Sequence, residues 1–425
     1  MSKTYCGACR GERGCEACPA IGSFVQYTGV TEFYAEGAVS AQSEKDVCVS
    51  VKDADPRHKE LLLAADLGTT TLAFVCADEE GCVRVSYSCE NPQRRIASDV
   101  VGRMDAALHG QGESLTDEIR EALVKGFLFV LNRGLAAADG KATGEMPVRI
   151  AIAGNTVMQH ILLGYPLETM AKSPFVPYKK ETKSCSFSEL FGNTTGFAEL
   201  PESLARARVT VFPCLSAFVG GDMVAGANAV FAGDKKRCMI LIDLGTNGEI
   251  LLTVKGRWYG TAAAMGSAFE GGRYAYASEL FRKMAEALKQ GIADETGLLS
   301  EPYFSGGYEG LLQEDVREFQ LAKGALRAGI ELLCRHVGVP CSEIDRVYVA
   351  GGFGRFCESE DLFITGLLPK VFSEKVAIVG NSCMGGMLSY LKNKESVIYC
   401  EGTVLNLAEQ PEFEELYYRF MNFEE

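Results

Sequence analysis

The tetrapeptide Asp-Leu-Gly-Thr stands twice in this chain, as Asp66-Leu67-Gly68-Thr69 and as Asp243-Leu244-Gly245-Thr246. Each copy closes a short apolar run, Leu61-Leu62-Leu63-Ala64-Ala65 before the first and Met239-Ile240-Leu241-Ile242 before the second. Each is answered by another, Leu72-Ala73-Phe74-Val75-Cys76 and Ile250-Leu251-Leu252-Thr253-Val254. Apolar runs of strand length on both sides of a glycine turn predict antiparallel hairpins. Two further landmarks repeat in the same order. Ala153-Gly154-Asn155 matches Ala350-Gly351-Gly352, and a glycine-rich helix at Gly220, Gly221 and Gly226 matches one at Gly385 and Gly386. Matched landmarks in a shared order indicate an internal duplication, hence two similar lobes facing a cleft.

Between these landmarks the pattern is α/β. Val148–Ala153 and Val347–Ala350 read as strands, residues 116–138 and 316–337 as amphipathic helices, and Lys255-Gly256 as a turn. The polar run Lys52-Asp53-Ala54-Asp55-Pro56-Arg57-His58 reads as a linker. The expected organisation is a small cysteine-rich module with its linker at 1–58, one lobe at 59–232 and a second at 233–425.

A strand–turn–strand built on Asp, Gly and Thr suits phosphate. Glycine lets the backbone approach closely, and successive N–H groups form an anion-binding nest. Thr69, Thr70 and Thr246 add hydroxyl donors. An aspartate at a strand end cannot favourably touch phosphate, but it is placed to hold Mg²⁺, usually through water; Asp66 and Asp243 are the candidates. Two such hairpins would clamp the β- and γ-phosphates of a nucleotide. Gly351-Gly352-Phe353-Gly354 after a buried strand suits close packing against adenine or ribose. The helical glycines would let two helices approach closely, a hinge geometry. Asp222, Glu249 and Glu270 stand beside glycine-rich turns, as polarisers of an attacking water or Mg²⁺ ligands, or as solvated loop carboxylates. His160 reads as a packed histidine.

The net charge of −14 argues against a nucleic-acid partner. No apolar run reaches the roughly 20 residues of a membrane span, and Met-Ser-Lys-Thr-Tyr-Cys at the N-terminus lacks a signal core. A cytoplasmic protein is expected. Among 16 cysteines most stand singly in apolar runs, where Cys behaves as a small buried hydrophobe. Such a thiol load fits an anaerobic host. Cys6, Cys9, Cys15 and Cys18 differ: two Cys-x-x-Cys pairs in a segment with no hydrophobic periodicity. Four thiolates so spaced suit structural Zn²⁺ or a 4Fe-4S cluster, with Pro19 after the last Cys as in ferredoxins.

The set Asp66-Leu67-Gly68-Thr69-Thr70-Thr71, Asp243-Leu244-Gly245-Thr246-Asn247-Gly248-Glu249 and Ala350-Gly351-Gly352-Phe353-Gly354 resembles the phosphate-1, phosphate-2 and adenosine motifs of the actin/Hsp70/sugar-kinase ATPase superfamily. Further stretches resemble one branch of it, the ATP-dependent reductive activators of corrinoid proteins. These are Ala153-Gly154-Asn155-Thr156-Val157-Met158-Gln159-His160, Ser216–Asp222, Ala268–Gly272, Leu321–Ala325 and Val379-Gly380-Asn381-Ser382. The likeness covers roughly residues 60 to 395. It implies a duplicated actin-like (RNase H-like) fold and ATP with Mg²⁺ as cofactors. It implies one-electron reduction of Co(II) to Co(I) in a corrinoid protein or cobalamin-dependent methyltransferase, an upstream low-potential donor, and a homodimer. Familiar members carry a plant-type 2Fe-2S domain before the ATPase part or a two-cluster ferredoxin after it. This chain has neither pattern, which turns the cysteine module toward 4Fe-4S rather than Zn²⁺. It also lacks a Cys-Gly-Ser-Gly element between Gly291 and Gly310, and has Met265-Gly266-Ser267 where Ala-Gly-Pro is usual. The competing expectations are an ATP-driven activator of another metalloenzyme, such as a dehydratase, and a small-molecule kinase.

Overall fold

The computed structural model describes residues 47–49, 59–136, 146–195, 197, 200–231, 236–245, 247–266, 277–351, 359–394 and 397–423. Hydrophobic alternation gives way to continuous burial in Leu61–Leu67 (β2) and Val148–Gly154 (β5), the signature of central strands covered on both faces. Thr71–Asp78 (β3) and Val83–Glu90 (β4) extend this sheet as an antiparallel meander from β2. Val47–Val49 (β1) adds to β4, and Lys183–Ser186 (β6) and Arg208–Val211 (β7) lie beyond β5. The order is β1-β4-β3-β2-β5-β7-β6. A second sheet repeats the plan: Met239–Leu244 (β8), Asn247–Val254 (β9) and Arg257–Ala264 (β10) form the meander, and Arg346–Ala350 (β11) and Val376–Gly380 (β12) run parallel beyond β8. With Gly402–Val404 (β13) the order is β12-β11-β8-β9-β10-β13. Thus β4-β3-β2-β5-β7 and β10-β9-β8-β11-β12 share one arrangement. Lys255 and Gly256 take positive φ at the β9–β10 turn, as a two-residue hairpin loop requires.

The chain divides into two compact units. One takes the described residues 47–230 with 381–400, the other 231–380 with 401–423. In the first, the helix Gly112–Ala136 buries Leu115, Ile119, Leu123, Phe127 and Val130 against the sheet at helical spacing. It comes close because a Cβ on Gly126 would lie 2.3 Å from the Phe74 ring, and one on Gly134 2.4 Å from Cys76 Sγ. Each fully buried Phe or Leu in that layer contributes about 1.5–3 kcal/mol. In the second unit, the helix Gln313–Val337 buries Val316, Phe319, Leu326, Ile330 and Leu333. The helix Phe413–Met421 packs on it, and Lys323 Nζ donates to the Phe420 carbonyl at 2.7 Å. Among the described residues no helix is long and apolar enough to cross a membrane.

Candidate functional site

The duplication is preserved at the level of single residues. In the first unit Asp66 pairs with Ala153 and Leu67 with Gly154 across β2 and β5. In the second, Asp243 pairs with Ala350 across β8 and β11, so that Gly351 follows as Gly154 does. Both glycines are there for one reason. A Cβ on Gly154 would sit 2.5 Å from the Leu67 carbonyl oxygen, and one on Gly351 2.4 Å from that of Leu244. Gly351 also has φ +101°, which side chains rarely tolerate. Each aspartate stands one residue before the end of its strand, at the carboxyl edge of a parallel pair, where open α/β sheets place their ligands.

In the first unit, the turn after Asp66 is fixed by two side chains that sequence patterns do not mark. Asn91 donates from Nδ2 to the Gly68 carbonyl (2.9 Å) and from its backbone N–H to the Thr70 carbonyl (2.8 Å). Arg103 is fully buried and donates from a terminal guanidinium nitrogen to the Thr69 carbonyl (2.6 Å) and from Nε to the Ala97 carbonyl (3.2 Å). Burial pushes Arg103 down to about 10, which still leaves it charged at neutral pH. These bonds take up the carbonyls of residues 68–70. A Cβ on Gly68 would meet the Thr71 carbonyl at 2.4 Å, so the turn admits no other residue.

Three helix N-termini belong to the same unit. Asn155 caps Thr156–Leu163, its side chain accepting from the Val157 N–H at 2.9 Å. Gly221–Val230 opens on Gly221, whose N–H donates to Gln159 Oε1 at 3.2 Å, and carries Asp222 in its first turn. Asn381 caps Ser382–Lys392: its side-chain oxygen accepts from the Met384 N–H (2.7 Å) while Nδ2 donates to Asp66 Oδ2 (2.8 Å). The amide is thus oriented by the helix it caps, and it holds the Asp66 carboxylate in turn. Asp222 is pushed up to about 7, chiefly by burial and further by the Asp66 carboxylate. The glycine-rich helices come together as their composition predicts, since a Cβ on Gly386 would overlap the Ala225 carbonyl.

In the second unit the cross-strand partner of Asp243 is Glu249, and Leu244 pairs with Gly248. Directly opposed residues of a hairpin hold their Cβ atoms about 4.5–5.5 Å apart, so two carboxylates are juxtaposed here as well. A Cβ on Gly245 would have room among the described residues, its nearest neighbour there being the Asn247 carbonyl at 3.7 Å. Gly248 is the tight position: a Cβ there would lie 2.7 Å from Leu326 Cδ1 and 2.8 Å from Met265 Sδ.

Of the residues singled out in the sequence, the first unit gathers Asp66, Gly68, Thr69, Thr70, Thr71, Gly154, Asn155 and Asp222. The second gathers Asp243, Gly245, Asn247, Gly248, Glu249 and Gly351. Thr246, Glu270, Gly352, Phe353 and Gly354 lie outside the described residues, as do Cys6, Cys9, Cys15 and Cys18. His160 is buried, its Nδ1 on the Thr156 carbonyl at 2.8 Å and burial holding it below the usual histidine range. Asn91 and Arg103 escaped sequence reasoning because their contacts are with a turn far along the chain. Asn381 stood within a recognised stretch but without a role.

Residues 61–231 match the family described as the RACo middle region, and residues 237–279 and 309–425 match the C-terminal domain of RACo, the ASKHA domain. The chain is similar to the corrinoid activation enzyme RamQ of Eubacterium limosum, 26% identical over 84% of this chain and 69% of the relative. It is 21% identical to the Co(II) methylated amine-specific corrinoid protein reductase of Methanosarcina barkeri, over 76% of this chain and 68% of that one. A solved structure of a reductive activator for a corrinoid, iron-sulfur protein superposes with a TM-score of 0.71 at 21% identity. That superposition covers 86% of this chain and 66% of the other, and it shows the fold. The chain therefore spans about two thirds of the length of these relatives.

Proposed function

The chain belongs to the RACo family of reductive activators of corrinoid proteins, and from that premise we propose that it couples ATP to reduction of the cobalt of a corrinoid protein from Co(II) to Co(I). The observation that carries the reading is the repeated register at Asp66–Gly154 and Asp243–Gly351, a duplicated ATPase frame within residues matched by both family regions.

The residues divide the work as follows. Backbone N–H groups and hydroxyls of Gly68, Thr69, Thr70 and Thr71, and of Gly245, Thr246, Asn247 and Gly248, would hold phosphate oxygens. Arg103 and Asn91 keep the first turn in shape, and Arg103 brings a positive charge beneath it. Gly154, Asn155 and Gly351–Gly354 would line the nucleotide. The donor set fits Mg²⁺, a hard cation that takes carboxylate oxygens and water: Asp66 beside Asp222, and Asp243 beside Glu249, are carboxylate pairs whose repulsion a cation relieves. Mg²⁺ would supply neutralisation of phosphate charge. Asn381 fixes the direction of Asp66, and Asp222, Glu249 and Glu270 would orient water.

The electron would come from an upstream low-potential donor. Cys6, Cys9, Cys15 and Cys18 would hold a 4Fe-4S cluster, a reading supported by their spacing and by the need for an electron carrier. We also place the protein in the cytoplasm, as a homodimer. The test is anaerobic: the protein, a low-potential reductant and a Co(II) corrinoid protein, with and without ATP, followed by Co(I) absorbance. Equal Co(I) yield in both arms sinks the proposal. Iron and sulfide analysis of the same preparation decides the cluster, and zinc in their place overturns it.

A further inference from the structure

The second unit carries a pair of thiols outside the ATP chemistry. Cys334 lies in the last turn of the helix Gln313–Val337 and is 2% exposed. Cys341 opens the short helical turn Cys341–Glu343 and is half-buried. Between them Gly338 caps the helix in the left-handed region, with φ 72°, and the Val339 N–H donates to the Cys334 carbonyl at 3.0 Å. This reversal folds the chain back and brings the two Sγ atoms to 3.6 Å. Either sulfur can hold the shared hydrogen, but ionisation favours Cys341. Cys334 then donates to the thiolate and Arg327 lies near, so Cys341 falls below the ordinary thiol range. The same contact, with burial, pushes Cys334 up. Other thiols contrast: burial raises Cys76 and Cys400 to about 12 and Cys214 to about 11, leaving them protonated and unreactive.

An accessible thiol in contact with a buried one is the arrangement of an attacking and a resolving cysteine. We propose that Cys334 and Cys341 form a reversible disulfide by exchange with a low-molecular-weight disulfide, making this helix end a thiol-redox modification site. The Cys341 thiolate attacks one sulfur of the reagent, forming a mixed disulfide and releasing one reagent thiol. Cys334 then loses its proton and displaces the second, leaving the Cys334–Cys341 bond and two reduced reagent thiols. The bond would staple the end of the long helix to the turn that precedes β11, the strand leading to Gly351. The inference is independent of the nucleotide and corrinoid reading.

The test uses full-length protein and 2-hydroxyethyl disulfide, with tryptic mapping under non-reducing conditions. Cleavage at Arg335 places the two cysteines in separate peptides. Wild type is expected to give those peptides joined, and dithiothreitol to separate them. Cys334→Ala is expected to trap the mixed disulfide on Cys341 at least about tenfold longer than wild type, since no resolving thiol remains. Cys341→Ala leaves Cys334 unmodified. A wild-type Cys341 that keeps the reagent adduct without cross-linking, or that cross-links to the neighbouring Cys238 instead, overturns the proposal, and neither result depends on a variant folding.

Discussion

The two Asp-Leu-Gly-Thr turns are the same in sequence and in register with their parallel neighbour strands, yet they are held in shape by different means. The first is pinned from outside by Asn91 and Arg103, and its own glycine has no space for a side chain. Among the described residues the second leaves Gly245 roomy and puts the steric demand on Gly248, against which Leu326 and Met265 pack. The second carboxylate also arrives differently. Beside Asp243 it comes from the facing strand, as Glu249. The residue facing Asp66 is Ala73, and the carboxylate comes instead from the start of a helix, as Asp222. A duplicated motif thus preserves an aspartate near a strand end beside a glycine turn, while the supports of the two turns differ.

The comparison can be broken first at the aspartates. Under the proposed function, Asp66→Asn and Asp243→Asn should each lower ATP-dependent Co(I) formation by about 10²–10³-fold, the scale of losing a preorganised charge in a phosphate site. One aspartate dispensable within tenfold would mean that only one turn is used. Next come the glycines. Gly68→Ala drives a Cβ into the Thr71 carbonyl and should cost about 1–3 kcal/mol in urea unfolding, whereas Gly245→Ala should stay within about 0.5 kcal/mol. Equal costs would remove the asymmetry. Arg103→Met leaves the Thr69 and Ala97 carbonyls without this donor and should cost about 1–3 kcal/mol, with weaker nucleotide binding.

The two carboxylate pairs differ in pH dependence. Asp222 is raised from an ordinary value of 3.8 to about 7, so between these values the folded chain keeps a proton that the unfolded chain has released. Its contribution to stability is full below the unfolded value and is lost as pH rises through about 7. Without Mg²⁺, the wild type should lose stability relative to Asp222→Asn as pH rises from about 4 to about 7, read from urea midpoints. A parallel course of the two proteins would contradict the burial of this carboxyl. Asn381→Ala should cost about 1 kcal/mol of stability for a lost helix cap. It should impair Co(I) formation more than stability, because Asp66 loses its orienting amide.

Much of the frame was legible in the sequence. Continuous apolar runs and glycine turns marked β2, β3, β5, β8, β9 and β11, and the 3.6-residue period marked the long helices that run Gly112–Ala136 and Gln313–Val337. The matched order of Ala-Gly landmarks anticipated the shared register at Gly154 and Gly351. What fixes the turns was not legible. Arg103 reads as a surface residue, and its burial arises only when its helix, Val100–Ala106, packs beside Thr156–Leu163 and its guanidinium reaches the Thr69 carbonyl. Asn381 stood in a recognised stretch, but its reach to Asp66 spans 315 positions of chain and belongs to tertiary packing. The packing of the helix Ser382–Lys392 against Gly221–Val230 in the first unit, by contrast, was legible in the glycines of both helices, and it is closest at Gly386.

The most direct measurement of the central claim is the Co(I)/Co(II) ratio of a corrinoid protein at a fixed ambient potential, poised by a redox mediator, with this protein and Mg²⁺ present. Adding ATP should raise the ratio for wild type, each tenfold rise corresponding to about 59 mV of uphill work, and should leave it unchanged for Asp66→Asn. A ratio that does not respond to ATP in the wild-type protein would contradict the account.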